Sequence, residues 1–126
     1  MKLVLLILPL LFSLFWNVAL AEDKRGYVLV DEQVEITSDI TNSQDRIQNF
    51  AYIVQLKNDE GVTISLAWIT GALSPNQRLS PALSWTPDKA GMYTAEIFVW
   101  ESINNPDALS PSLHLDIEVR EKIEQG

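Results

Sequence analysis

The chain of 126 residues has no cysteine and one histidine, His114. The missing thiol excludes a disulfide framework, a thiolate metal site, thiol catalysis and a lipid-bearing cysteine, so packing alone must hold any core that forms. With one imidazole, a transition-metal site would need carboxylates to complete it, and Asp116 is the one same-face neighbour of His114 in sequence. Basic charge is scarce as well. Nine Lys and Arg stand against 17 Asp and Glu, for a net charge of −8. Such a surface argues against nucleic acid and anionic lipid as partners and favours solubility. There is no long helical period, no internal repeat and no second extended apolar run.

What is present begins with a leader. In "MKLVLLILPLLFSLFWNVALA", Lys2 supplies a small positive region and Leu3 to Trp16 an apolar one. Ala19-Leu20-Ala21 then places small residues where a signal peptidase cuts, with Glu22-Asp23 directly after. Residues 1–21 are therefore expected to be a cleaved signal peptide, a retained membrane anchor being the alternative. The expected product is residues 22–126, one small domain ending in the charged tail "EVREKIEQG" and located outside the cell or at its surface.

Past the leader, a period of two dominates. "VEITSDI" sets Val34, Ile36 and Ile40 on one face, and "FAYIVQLK" does the same with Phe50, Tyr52, Val54 and Leu56. "VTISLAW" repeats it with Val62, Ile64, Leu66 and Trp68, and "LHLDIEVR" with Leu113, Leu115, Ile117 and Val119. "KNDEGV" is a hairpin loop in which Gly61 can take a positive φ. With "YVLV", "LSPALSW" and "MYTAEIFVW" added, about seven strands result, joined by Asn-, Gly- and Pro-bearing turns. The expected fold is all-β: a single antiparallel β-sandwich without a disulfide.

The stretch "DKAGMYTA" (residues 88–95) resembles the corner that precedes strand F of immunoglobulin-like domains. In that motif a tyrosine hydroxyl bonds backbone a few residues upstream. Tyr93 matches the tyrosine and Asp88, more loosely spaced, the aspartate; Ala95 stands where disulfide-bearing members carry a cysteine. The resemblance implies packing around Trp68 or Trp85 in place of the bridge. "SWTPDKAGMYTAEIFVW" is also similar to immunoglobulin-like modules of prokaryotic, especially archaeal, secreted and cell-surface proteins. It implies a fold and a setting, and no active site.

Candidate sites are few. His114 and the many serines lack any nucleophile motif, so no catalytic residue is expected and the protein is not expected to be an enzyme. The acidic loops at Asp31-Glu32, Asn58-Asp59-Glu60 and Asn104-Asn105-Asp107 lack the spaced ligand pattern of a Ca²⁺ loop, and turn formation accounts for them. No cofactor or metal site is expected. The aromatics of the last long strand are different. If Tyr93, Ala95, Ile97 and Val99 face inward, Phe98 and Trp100 must face outward, with Ile53 of a neighbouring strand beside them. Outward aromatics in a row mark a contact patch. These expectations describe an exported binding or structural module, used in adhesion or in the cell envelope, with protein or glycan as partner. The alternative is a small exported protease inhibitor or carbohydrate-binding module.

Overall fold

Strands form wherever the period-two pattern runs, and turns where Asn, Gly and Pro interrupt it. A computed structural model describes residues 4–11, 19–21 and 26–122. Eleven strands follow in chain order: β1 (Val4–Leu11), β2 (Ala19–Ala21), β3 (Val28–Leu29), β4 (Val34–Thr41), β5 (Gln48–Lys57), β6 (Thr63–Leu73), β7 (Arg78–Leu79), β8 (Ala82–Trp85), β9 (Gly91–Ser102), β10 (Asn105–Ala108) and β11 (Leu113–Arg120). Of the expected leader, residues 1–3 and 12–18 lie outside the described residues; so do 22–25, and 123–126 of the tail. The backbone of β1 runs parallel to β4, from Val4 opposite Val34 to Leu11 opposite Thr41.

The strands make two sheets. The smaller has the order β2-β1-β4-β7, with β8 also on β4; the larger runs β3-β11-β9-β5-β6, with β10 on β9. Face to face they form an immunoglobulin-like β-sandwich, and no helix occurs among the described residues. Each of the seven sequence-defined strands is represented, with β1 and β2 of the expected leader and β10 added. "LSPALSW" is not one strand: it breaks into β7 and β8 at Ser80 and Pro81, because proline has no N–H for the ladder. The carbonyl of Pro81 instead accepts from Thr37 Oγ1 at 2.9 Å and from the Ser38 amide at 3.3 Å.

The core follows from alternation. Phe50, Tyr52, Val54 and Leu56 of β5 and Tyr93, Ala95, Ile97 and Val99 of β9 are buried, facing Val34, Ile36 and Ile40 of β4. Leu113, Ile117 and Val119 of β11 complete that layer, with Leu83 and Trp85 of β8 packed against it. Polar groups inside this core are paired. Tyr52 Oη and Ser38 Oγ share a hydrogen bond of 3.1 Å, which joins the two sheets where both residues are fully buried. Burial pushes the Tyr52 phenol up to about 12, against the pull of the Ser38 bond.

At the end of the sandwich, Tyr93 Oη donates to the carbonyl of Lys89 at 2.7 Å. Burial, then the carboxylates of Asp88 and Asp59, raises its phenol above the ordinary range. The Trp85 ring meets Tyr93 edge-on at 5.0 Å between centroids. Trp85 is thus the tryptophan that packs at the corner; Trp68, the other residue named for that role, is on the opposite side of its sheet and 52% exposed.

Asn42 went unremarked in the sequence because nothing distinguishes it from other loop asparagines. It is fully buried, and its Nδ2 donates to the carbonyls of Arg46 and Leu73 at 2.8 and 3.0 Å while Oδ1 accepts from the Gln44 amide at 3.0 Å. One side chain thereby ties the β4–β5 connection to the end of β6.

Two stability predictions follow from these contacts. Tyr93→Phe leaves the Lys89 carbonyl without its donor and is expected to cost about 1 to 3 kcal/mol in urea melts. His114→Ala, on an exposed face, is expected to change stability by less than roughly 0.5 kcal/mol; indistinguishable melts would refute the corner's role. For Tyr52, the folded chain keeps the phenolic proton to higher pH than the unfolded chain. Its contribution is therefore complete below about pH 10 and lost as pH rises toward 12. The stability advantage of the wild type over Tyr52→Phe should shrink across that window by on the order of 2 kcal/mol; a constant difference would contradict the buried phenol.

Candidate binding face

The outward face of the larger sheet is built by register. On β5, Ile53 lies opposite Trp68 of β6 on one side and Phe98 of β9 on the other. The next row is Thr70, Ala51 and Trp100, and Ala108 of β10 lies beyond Trp100. The three expected patch residues are thus neighbours: Ile53 is placed between two aromatic side chains and is only 5% exposed. Phe98 and Trp100 are half-buried and their rings sit 5.7 Å apart at a tilt of 46°.

The largest part of the face comes from β6, where alternation alone misassigns the faces. Val62, Ile64, Leu66 and Trp68 were expected inward, and all four are exposed. Val62 lies in the turn before β6; for the other three the cause is a one-residue shift in the ladder, where Lys57 pairs with Thr63 but Leu56 pairs with Ser65. This bulge turns every later side chain of β6 over. The inward set becomes Ser65 opposite Leu56, Ala67 opposite Val54, Ile69 opposite Tyr52 and Gly71 opposite Phe50, with Leu73 fully buried at the strand's end. A Cβ at Gly71 would lie 3.1 Å from two ring carbons of Phe50, so a larger residue there would force that ring to move by a few tenths of an ångström. The shift leaves Ile69 and Leu73 on the inward side and turns Ile64, Leu66 and Trp68 to the outside.

Below the aromatic rows the same face is charged. Glu96 of β9 receives Lys57 Nζ at 2.7 Å and Gln55 Nε2 at 3.2 Å, and His114 Nδ1 lies 3.6 Å away. Hydrogen bonding from Lys57 holds the Glu96 carboxyl below its usual range, against the desolvation that would raise it. Asp116 does not join His114; it accepts from Thr94 Oγ1 at 3.1 Å. The loop carboxylates and amides are likewise engaged in turns. Glu32 Oε1 accepts from the Leu29 amide, and Asn58 Oδ1 from the amides of Glu60 and Val62. No group of three metal-ligating side chains occurs among the described residues.

A recess of about 500 Å³ opens at the tyrosine-corner end of the sandwich. Ile64 and Ser65 of β6 line one wall, and Trp85, Asp88, Lys89 and Tyr93 the other. Its polar groups come from turn backbone and from side chains of both signs, so it has no dominant chemistry, whereas the outward face combines three aromatics with an adjoining polar row.

No family description matches the chain, and no curated protein matches it. Among solved structures, it is similar to the CARDB domain of a protein from Pyrococcus furiosus, determined in complex with di-metal ions. The TM-score is 0.57 at 19% identity, over 75% of this chain and 80% of that one. It is also similar to part of a β-glucuronidase from glycoside hydrolase family 2, with a TM-score of 0.56 at 15% identity over 72% of this chain. That match spans 10% of the glucuronidase's length. At these identities the likeness concerns the fold, and it agrees with the immunoglobulin-like sandwich described above.

The bulge and the edge position of β6 imply an order of costs. Trp68→Ala should lower stability by less than about 1 kcal/mol, since the ring is half in water. Trp100→Ala removes a half-buried ring and its contact with Phe98, and should cost about 1 to 2 kcal/mol. Urea melts that reversed this order would contradict the register across the bulge.

Proposed function

We propose that the protein is an exported, non-catalytic binding module of the cell surface or envelope, and that it engages another protein through the outward face of its larger sheet. The observation that carries this reading is the continuous row Trp68, Ile53, Phe98, flanked by Leu66 and Trp100. Scattered exposed apolar residues are ordinary on a soluble domain, but rows spanning three strands mark contact surfaces. Tryptophan at the centre of such a surface contributes disproportionately to binding. Export rests on the leader-like first 21 residues, and the surface setting on the resemblance of "SWTPDKAGMYTAEIFVW" to modules of prokaryotic secreted and surface proteins.

A glycan partner is the second reading. Aromatic rings beside Gln55, Thr70 and Glu96 would give a sugar both an apolar platform and hydrogen-bonding groups. Binding measurements separate the two. Trp68→Ser should weaken association with a purified envelope protein at least tenfold without moving the melting temperature appreciably, and His114→Ala should leave it unchanged. Retention on a glycan array, with no protein ligand affected by Trp68→Ser, would replace the first reading by the second. Hydrolase turnover that disappears in His114→Ala would overturn both.

A further inference from the structure

The free edges of this sandwich are not protected alike. β3 has two residues and is followed by Asp31 at φ 69°. β4 carries the charged residues Glu35 and Asp39 and is paired with β7 and β8. β7 and β8 are short and interrupted at Pro81. β6 has none of these devices. It runs 11 residues, pairs among the described residues with β5 alone, and contains no charged residue and no proline from Thr63 to Leu73. A long, uncharged edge presents a row of amides and carbonyls ready for another strand, and proteins that stay monomeric blunt such edges with lysine, proline or bulges. The bulge of β6 lies at its first residues and leaves the rest of the strand regular.

We propose that β6 pairs antiparallel with the β6 of a second copy, about a two-fold axis perpendicular to the sheet, joining the two larger sheets into one. Three features select a second copy as the occupant. An antiparallel strand edge is self-complementary under such an axis, and the rotation keeps outward side chains on the outward face. With the axis at residue 66, 67 or 68, Ile64, Leu66 and Trp68 meet one another or the smaller Thr70 and Ala72 of the other chain. Charge agrees as well. Two copies of a chain with net charge −8 repel over most of their surfaces, but β6 brings no charge to the seam, and the nearest charges on that face, Lys57 and Glu96, are already paired at 2.7 Å. A strongly acidic or basic partner strand would find no complement here.

An interface of one strand and its flanking side chains lies near the low end for specific association, about 1,200 Å² in total, so the dimer is reversible. It places two aromatic faces side by side on one continuous sheet. The pairing does not depend on what that face binds.

Sedimentation velocity on the purified protein, over a hundredfold range of concentration, tests the proposal. The wild type should pass from monomer to dimer and go no further. Leu66→Lys, and separately Thr70→Lys, should shift the midpoint at least tenfold to higher concentration with melting temperatures unchanged. Trp100→Ser, on the face but away from the edge, should dimerise as the wild type does. Amide exchange within residues 63–73 should slow as the dimer forms. A monomer at every concentration, a dimer indifferent to both lysines, or one abolished by Trp100→Ser would each overturn the edge pairing. None of these results bears on whether the monomer binds an envelope protein or a glycan.

Discussion

The pairing of β5 with β9 is the constraint on which the rest of the molecule depends. Tyr52 lies opposite Val99 and Val54 opposite Ile97, so both strands turn the same phase inward at the centre of the larger sheet. β9 is held on its other side by β11, with Ile97 opposite Leu113 and Tyr93 opposite Ile117. A slip of one residue anywhere in this ladder would exchange the core for the surface. The same pairing that buries Tyr93, Ala95, Ile97 and Val99 therefore places Phe98 and Trp100 outside.

A sandwich without a disulfide must hold its sheets together by other means, and here three contacts do so at different heights. The Ser38–Tyr52 hydrogen bond joins the sheets in the middle, where neither hydroxyl can reach water. The Trp85–Tyr93 contact and the Tyr93–Lys89 bond close one end. Asn42 ties down the β4–β5 connection by bonding to the last carbonyl of β6. Each of these is a polar group that would be costly to bury alone, so each specifies its partner as well as stabilising the fold.

The outward face of the larger sheet is a consequence of the same packing. Phe50 leaves little room beside it, since a Cβ at Gly71 would lie 3.1 Å from two of its ring carbons. The bulge beside Lys57 turns Leu66 and Trp68 to the surface. That one local irregularity places Leu66 and Trp68 on the same face as Ile53, Phe98 and Trp100. Toward β11 the face changes character at Glu96, whose bonds to Lys57 and Gln55 bound the apolar region with a fixed polar row.

Alternation was sufficient to define the strands, the inward residues of β4, β5, β9 and β11, and the outward position of Phe98 and Trp100, because a strand's faces are set by parity alone. The tyrosine corner was legible as well, since Tyr93 and its turn are contiguous in sequence. What the chain could not express locally was register between strands. The shift between Leu56 and Lys57 reverses β6, and the side chains that looked most suited to the core, Ile64, Leu66 and Trp68, are the ones it exposes. Asn42 and Trp85 acquired their roles in the same way, from partners 31 residues away at Leu73 and across the corner at Tyr93. Parity is a property of one strand, but which residues share a row depends on the volume and hydrogen bonding of two, and only the assembled sheets decide that.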